Sequence, residues 1–224
     1  MTAIASWVDE GTADLLSAVN QLTDRQLAAP SRLPGWTRRH LVAHVASNAE
    51  ALGRLLHWAR SGQPAPMYAS TEQREAEIEA GARLPAEQLR ARLVGTAGAL
   101  AEQCAELPEG AWSAQVVTAQ GRTIAAREVL WLRAREVQVH AVDLDAGMTV
   151  DDLPDAFCIA LLDDVVAWRA ARPGPAVRLV TPDAVRELPG DGPPRRVELS
   201  LAAATAWLTG RNAPPDLPAL PAWL

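Results

Sequence analysis

The sequence predicts an α+β protein, a four-helix bundle over residues 1–150 followed by a smaller α/β domain over 151–224. Two observations carry that expectation. Before residue 147, apolar side chains recur at helical spacing through four long segments. After 150 the texture changes, and two short alternating runs, separated by prolines and glycines, lie between helical stretches.

Taken in order, residues 3–22 carry Trp7, Leu15, Leu16, Val19 and Leu22 at helical spacing. "TDRQLAAPSRLPGW" then interrupts the pattern with two prolines and a glycine. Thr37 is a good N-cap for the next helix, "RRHLVAHVASNAEALGRLLHWARSG", which Gly62, Pro64 and Pro66 end. A polar stretch at 70–82 reads as a short helix. From Leu84 to Leu107, an amphipathic helix turns Leu89, Leu93, Ala97, Leu100 and Cys104 inward. Residues 112–120 read as irregular or briefly extended. A fourth long helix is expected over 123–147, closed by Gly147. Beyond it, "DLPDAFCIALLDDVVAWRAA" reads as a helix, "AVRLVT" and "RRVELSLA" as strands, and "RELPGDGPPR" between them as turn chemistry. "LAAATAWLTG" is a last helix ending at Gly210, and the proline-rich tail is extended.

Composition narrows the function. The 224 residues, 49% of them apolar, suffice for a sizeable core. No run reaches the roughly 18 consecutive apolar residues of a membrane span. The start, "MTAIASWVDEGTADLL", carries acids early and no basic leader, so a cytoplasmic protein free of the membrane is expected, as a monomer or small homo-oligomer. A net charge of −6 argues against a nucleic-acid partner, which calls for a basic face. Cys104 and Cys158 lie far apart and form neither a disulfide framework nor a cysteine zinc motif; each reads as a small hydrophobe. All 21 basic residues are arginine, which excludes Schiff-base and P-loop lysine chemistry.

Four histidines remain, and three of them matter. Glu136 and His140 are four apart in "REVQVHAVDLDAG", so on a helix they share a face, among Val129, Leu132, Val139 and Leu144. An ionised glutamate among apolar residues is costly without a partner, and a divalent metal would offset that cost. "RRHLVAHVASN" holds His40 and His44, also four apart. His44 lies in register with Leu41, Val45 and Leu52, whereas His40 follows two arginines at the helix start, where solvent is expected. His44, Glu136 and His140 thus make a two-histidine, one-carboxylate set with an open position, suited to Zn²⁺ and equally to non-haem Fe(II). Spacing leaves a competing reading open: Glu136 pairs with Arg133 or Arg135, and His140 is a satisfied core histidine.

Three stretches, "LPGWTRRHLVAHVASN", "REVQVHAVDL" and "LAAATAWLTGRNAP", taken in this order, resemble the mycothiol-dependent maleylpyruvate isomerase family of the DinB-like helical superfamily. The resemblance spans nearly the whole chain. It implies a DinB-like four-helix metal-binding bundle, a smaller C-terminal α/β domain, and a zinc or other divalent metal site on His44, Glu136 and His140. It implies a catalytic arginine on Arg211, in the "TGR" word, holding a substrate carboxylate; the bland alternative is a cation that merely follows a helix end. Asp143 is either a carboxylate that orients His140 or a cap or surface ion pair. Trp36 and Trp58 are expected in the core rather than lining a pocket.

The reaction the resemblance implies is cis–trans isomerisation of maleylpyruvate to fumarylpyruvate. A small thiol, mycothiol, is held at the metal as thiolate; it adds to the double bond, allows rotation and leaves. Two other readings stay open at this point. One is a thiol S-transferase using mycothiol, ergothioneine or another small thiol on a different electrophile. The other is a non-catalytic metal-binding stress module on the same bundle.

Overall fold

A computed structural model describes residues 2–212, 214–221 and 223. The chain divides into two compact units, Met1–Gly147 and Met148–Leu224.

The first unit is helical. Its elements run α1 (Thr2–Gln21), a single turn α2 (Asp24–Leu27), α3 (Arg38–Ser61), α4 (Thr71–Ala82), α5 (Ala86–Ala105), β1 (Gln115–Val117), β2 (Thr123–Ala125) and α6 (Glu128–Asp143). The bundle is α1, α3, α5 and α6: α1 packs on α6, and α3 packs on both α5 and α6. α3 is buried along most of its length, from Leu41 through Leu56, which is why its apolar residues form no narrow stripe. Two glycines let helices meet closely. A Cβ at Gly11 of α1 would stand 2.8 Å from Val137 of α6, and one at Gly81 of α4 would stand 2.8 Å from the Ala43 Cβ of α3. Both contacts lie one residue from a candidate ligand, Glu136 or His44.

The fourth long helix begins later than its sequence suggests. Residues 123–125 form β2, paired antiparallel with β1 through Val116 opposite Ile124. Gly121, at φ 76°, makes the turn, and Val116 and Ile124 are buried under α3. Burial of this β-branched pair outweighs helix propagation there. α6 also stops at Asp143 rather than running to 147, with Asp145 (φ 54°) and Gly147 (φ 108°) in left-handed conformations beyond it.

The second unit holds α7 (Asp155–Ala170), β3 (Pro175–Val180), β4 (Val185–Leu188), β5 (Asp191–Glu198) and α8 (Leu201–Leu208). Its sheet has the order β4-β3-β5, with β4 antiparallel and β5 parallel to β3. The expected turn at 186–195 is therefore corrected. Its first half belongs to β4, where Arg186 and Leu188 alternate inward. Its second half opens β5, an edge strand, where Pro193 and Pro194 can sit without a donor. Phe157, Leu161, Val165, Val177, Leu179 and Trp207 form the core of this unit. Among the described residues no helix is long and apolar enough to cross a membrane.

Candidate metal centre

The site is built where the second turn of α3 meets the last two turns of α6. Three ties fix this contact. Arg38, at the start of α3, donates from Nε to the Leu144 carbonyl at 2.6 Å and from Nη2 to the Asp145 carbonyl at 2.6 Å. These carbonyls lie just beyond the C-terminus of α6, where helical acceptors lack partners of their own. The Arg32 backbone N–H donates to the Asp143 carbonyl at 2.9 Å. Farther along, buried Arg133 donates from Nη1 to the Val45 carbonyl at 2.9 Å and to Asn48 Oδ1 at 3.0 Å. Arg133 thus bridges α6 to α3, and its hydrogen bonds go to α3 rather than to Glu136.

Between these ties the three candidate ligands come together. Glu136 Oε2 lies 3.0 Å from His44 Nε2 and 3.2 Å from His140 Nε2. Separations of 3.0 and 3.2 Å are ones that an ion about 2.0–2.2 Å from each atom can span, and the ligand atoms of the three residues all lie within 4.8 Å of one another. The rings of His44 and His140 stand nearly perpendicular, with centroids 5.0 Å apart. His44 is buried, and Glu136 and His140 are half-buried.

The outer contacts orient the ligands. Asp143 is fully buried, and its Oδ2 lies 2.9 Å from His140 Nδ1, which turns Nε2 toward Glu136. This contact decides against the surface ion pair among the roles expected for Asp143. Trp36 packs against His44 with centroids 5.4 Å apart, so it stands at the site, contrary to expectation. Trp58 does join the core, beside the cluster around Leu52 and Val116. His40 is engaged elsewhere: its Nδ1 accepts from the Thr37 backbone N–H at 3.2 Å, and its Nε2 lies 3.2 Å from Glu79 Oε1.

Electrostatics match this arrangement. Burial alone would raise Glu136, but hydrogen bonds from His140 and His44 hold its carboxyl well below the usual carboxylate range. Burial pushes the His44 imidazole down, against the pull of Glu136. Burial would also lower His140, yet its bonds to Asp143 and Glu136 push it up to about 9. The cluster therefore offers a firm carboxylate and a neutral imidazole, with a second imidazole backed by a buried carboxylate. Two nitrogens and one oxygen converging on one point fit a divalent metal by their chemistry.

Sequence reasoning missed two neighbours of this cluster. Arg74, on α4, brings Nη2 to 3.4 Å from His44 Nδ1. Its Cζ lies 5.9 Å from the ring centroid of Tyr68, in the loop before α4. α4 has no apolar stripe to reveal which of its residues face inward, and no motif links 68–74 to 136–140. Arg211 is in the second unit, half-buried after α8, where its Nη1 donates to the Thr209 carbonyl at 2.6 Å and its Cζ lies 5.8 Å from the Trp223 ring.

Comparison with known proteins follows the same lines. The profile of the mycothiol maleylpyruvate isomerase N-terminal domain matches residues 8–145. The crystal structure of a mycothiol-dependent maleylpyruvate isomerase superposes at a TM-score of 0.93, with 35% identity over 99% of this chain and 96% of that one. A histidine-to-alanine mutant of a mycothiol-dependent maleylpyruvate isomerase matches at 0.93, with 34% identity over the same shares. YfiT from Bacillus subtilis, a four-helix bundle of unusual topology, is alike in fold alone, with a TM-score of 0.54 and 20% identity over 64% of this chain and 83% of that one. Among curated proteins, none matches this sequence.

Proposed function

We propose, from the premise that this chain belongs to the mycothiol maleylpyruvate isomerase family, that it is a cytoplasmic metal- and thiol-dependent isomerase converting maleylpyruvate to fumarylpyruvate. The observation that carries the reading is the convergence of His44 Nε2, Glu136 Oε2 and His140 Nε2 within 4.8 Å. In this reading they hold a divalent metal, with zinc as the ion suited to two imidazoles, one carboxylate and an open position. Bound there, the metal would keep a small thiol, mycothiol, as its thiolate, the nucleophile whose reversible addition frees the double bond to rotate.

The chain's own residues set the conditions. Glu136 supplies the negative charge of the ligand set, and Asp143 fixes the His140 ring with Nε2 facing Glu136. Trp36 packs on one side of His44, which is buried. Arg211 is assigned the role of holding a substrate carboxylate, which a guanidinium grips as a fork.

The chain's cysteines support a thiol from outside. Burial pushes the Cys104 thiol up to about 11 and raises that of Cys158. Neither is a thiolate near neutrality, so neither is a nucleophile there.

The test is metal content of the purified protein, wild type against His44→Ala, followed by a maleylpyruvate assay with and without mycothiol. About one metal per chain, lost in the variant, with turnover only in the presence of thiol, is the expected result. A stable adduct that consumes thiol in proportion to substrate would overturn isomerisation in favour of thiol transfer. Metal without any turnover of maleylpyruvate would overturn the isomerase reading in favour of a thiol transferase on another electrophile or a metal-binding module.

A further inference from the structure

Arg74 stands where a positive charge is hard to explain by packing. It is half-buried on α4, with Nη2 3.4 Å from His44 Nδ1. Other half-buried arginines of this bundle are bonded to acceptors: Arg92 meets Glu50 at 2.9 Å, Arg90 meets Asp24 at 3.1 Å, and Arg39 donates to the Ala82 carbonyl at 2.7 Å. Among the described residues, no carboxylate oxygen lies within 4.0 Å of the Arg74 guanidinium. Its other neighbour is the Tyr68 ring, which has Arg54 at the same 5.9 Å from its centroid. Arg54 is anchored by the Met67 carbonyl at 2.9 Å. The result is a cationic and aromatic edge, Arg74 with Tyr68, on the His44 side of the ligand cluster.

The contact with His44 has a consequence for metal binding. A neutral imidazole has one lone pair. When Nε2 gives that lone pair to an ion, Nδ1 carries the proton and faces the Arg74 donors. The Arg74–His44 contact and a metal on His44 Nε2 therefore exclude one another as a hydrogen bond. Metal binding leaves the guanidinium beside a divalent ion with repulsion on both sides. An incoming anion relieves that repulsion, and a planar fork of N–H donors matches a carboxylate. Burial pushes the Tyr68 phenol up, against the pull of the Arg74 charge, so its hydroxyl keeps its proton and can donate beside the guanidinium.

We propose that Arg74, braced by Tyr68, is a carboxylate-binding residue at the metal site and takes one carboxylate of the electrophile. The assignment rests on the reading of His44, Glu136 and His140 as metal ligands. It deepens that reading by giving the metal site, within the first unit, a cationic holding point for a carboxylated electrophile.

The experiment uses the full-length, zinc-loaded protein and succinate, a saturated dicarboxylate to which a thiol cannot add. Succinate binding is measured by calorimetry for the wild type, Arg74→Met and Arg74→Lys, with zinc affinity measured for each. Binding in the wild type, weakened about ten-fold or more in Arg74→Met and partly restored in Arg74→Lys, is expected for a lost charge-assisted contact. Zinc affinity in Arg74→Met should be equal or higher, because a cation beside the ion has gone. KM for maleylpyruvate should rise with succinate's dissociation constant, with kcat less affected.

Succinate binding that is absent in the wild type or unchanged in Arg74→Met overturns the proposal. Loss of zinc in Arg74→Met also overturns it and makes the arginine a support for His44. Turnover with thiol but an unmoved KM in Arg74→Met leaves the isomerase reading standing and this one refuted. Arg74-dependent succinate binding without turnover does the reverse.

Discussion

Two of the polar clusters inside this protein, one in each unit, are built in opposite senses. In the second unit, Arg186 is 7% exposed and all of its nitrogens are spent. Nε donates to Asp163 at 2.6 Å, Nη1 to Thr181 Oγ1 at 2.9 Å, and Nη2 to Asp183 at 2.7 Å. In the first unit, His44, Glu136 and His140 turn two imidazole nitrogens and a carboxylate oxygen toward one point, with no arginine or lysine at its centre. The first cluster surrounds a cation the chain already supplies. The second arranges the same kinds of atoms around a position that suits a cation from outside. Burial and short contacts are common to both, so they do not mark a site; the direction in which the donor atoms converge does.

Removing the charge from the convergent set should have the largest effect. Glu136→Gln keeps the side-chain shape and leaves two imidazoles without their carboxylate. Metal affinity should fall by more than the roughly 10–100-fold typical of a supporting residue, and thiol-dependent turnover should fall with it. The helical circular dichroism should be unchanged, since the ties through Arg38 and Arg133 are untouched. Full metal content in Glu136→Gln would remove the contrast between the clusters.

Asp143→Asn tests the next layer. Asp143 reaches His140 Nδ1 at 2.9 Å and does not belong to the convergent triad. An amide can still accept from Nδ1–H but no longer backs the ring with charge. Metal affinity should drop about 10–100-fold, less than in Glu136→Gln, and be measurable by chelator competition. Equal losses in the two variants would make Asp143 as central as the ligands.

Arg186→Met asks the matching question of the closed cluster. The variant strips Thr181 and Asp183 of their shared donor. Stability in urea should fall by about 1–3 kcal/mol, with metal content unchanged. A variant as stable as wild type would show that desolvating Arg186 cancels what its three bonds contribute.

Legibility in the sequence follows the range of the contacts. Glu136 and His140 could be paired from their spacing, because four residues on a helix fix a shared face whatever surrounds them. His44 could be preferred over His40 from the apolar register around it. In the structure His44 does meet Glu136, while His40 serves Thr37 and Glu79. The long helices were visible for the same local reason. β2 and β4 were not, since three or four residues give too little alternation to outvote a neighbouring helix or a run of glycine and proline. Arg74 and Tyr68 were invisible because they reach the cluster only through the packing of α4 on α3, where Gly81 rides over Ala43. No local pattern encodes that contact.

The smallest expected effect lies in the acid range and again concerns the closed cluster. The hydrogen bond from Arg186 holds the Asp183 carboxyl below its ordinary value. A folded-state pKa below the unfolded one contributes stability above the unfolded pKa, about 3.9 for aspartate. That contribution is lost as pH falls through the folded value. Asp183→Asn should therefore be less stable than wild type in urea at pH 6, and the gap should narrow steadily as the pH is taken below 4. Asp183 is partly solvated, so the gap should be small beside the effect of Arg186→Met. A gap that stays constant with pH would assign the loss to packing of the side chain, and a gap that widens in acid would reverse the sign of the proposed linkage. Either outcome would mean that Arg186 is held chiefly by Asp163 and Thr181, and that the closed cluster does not depend on Asp183 being charged.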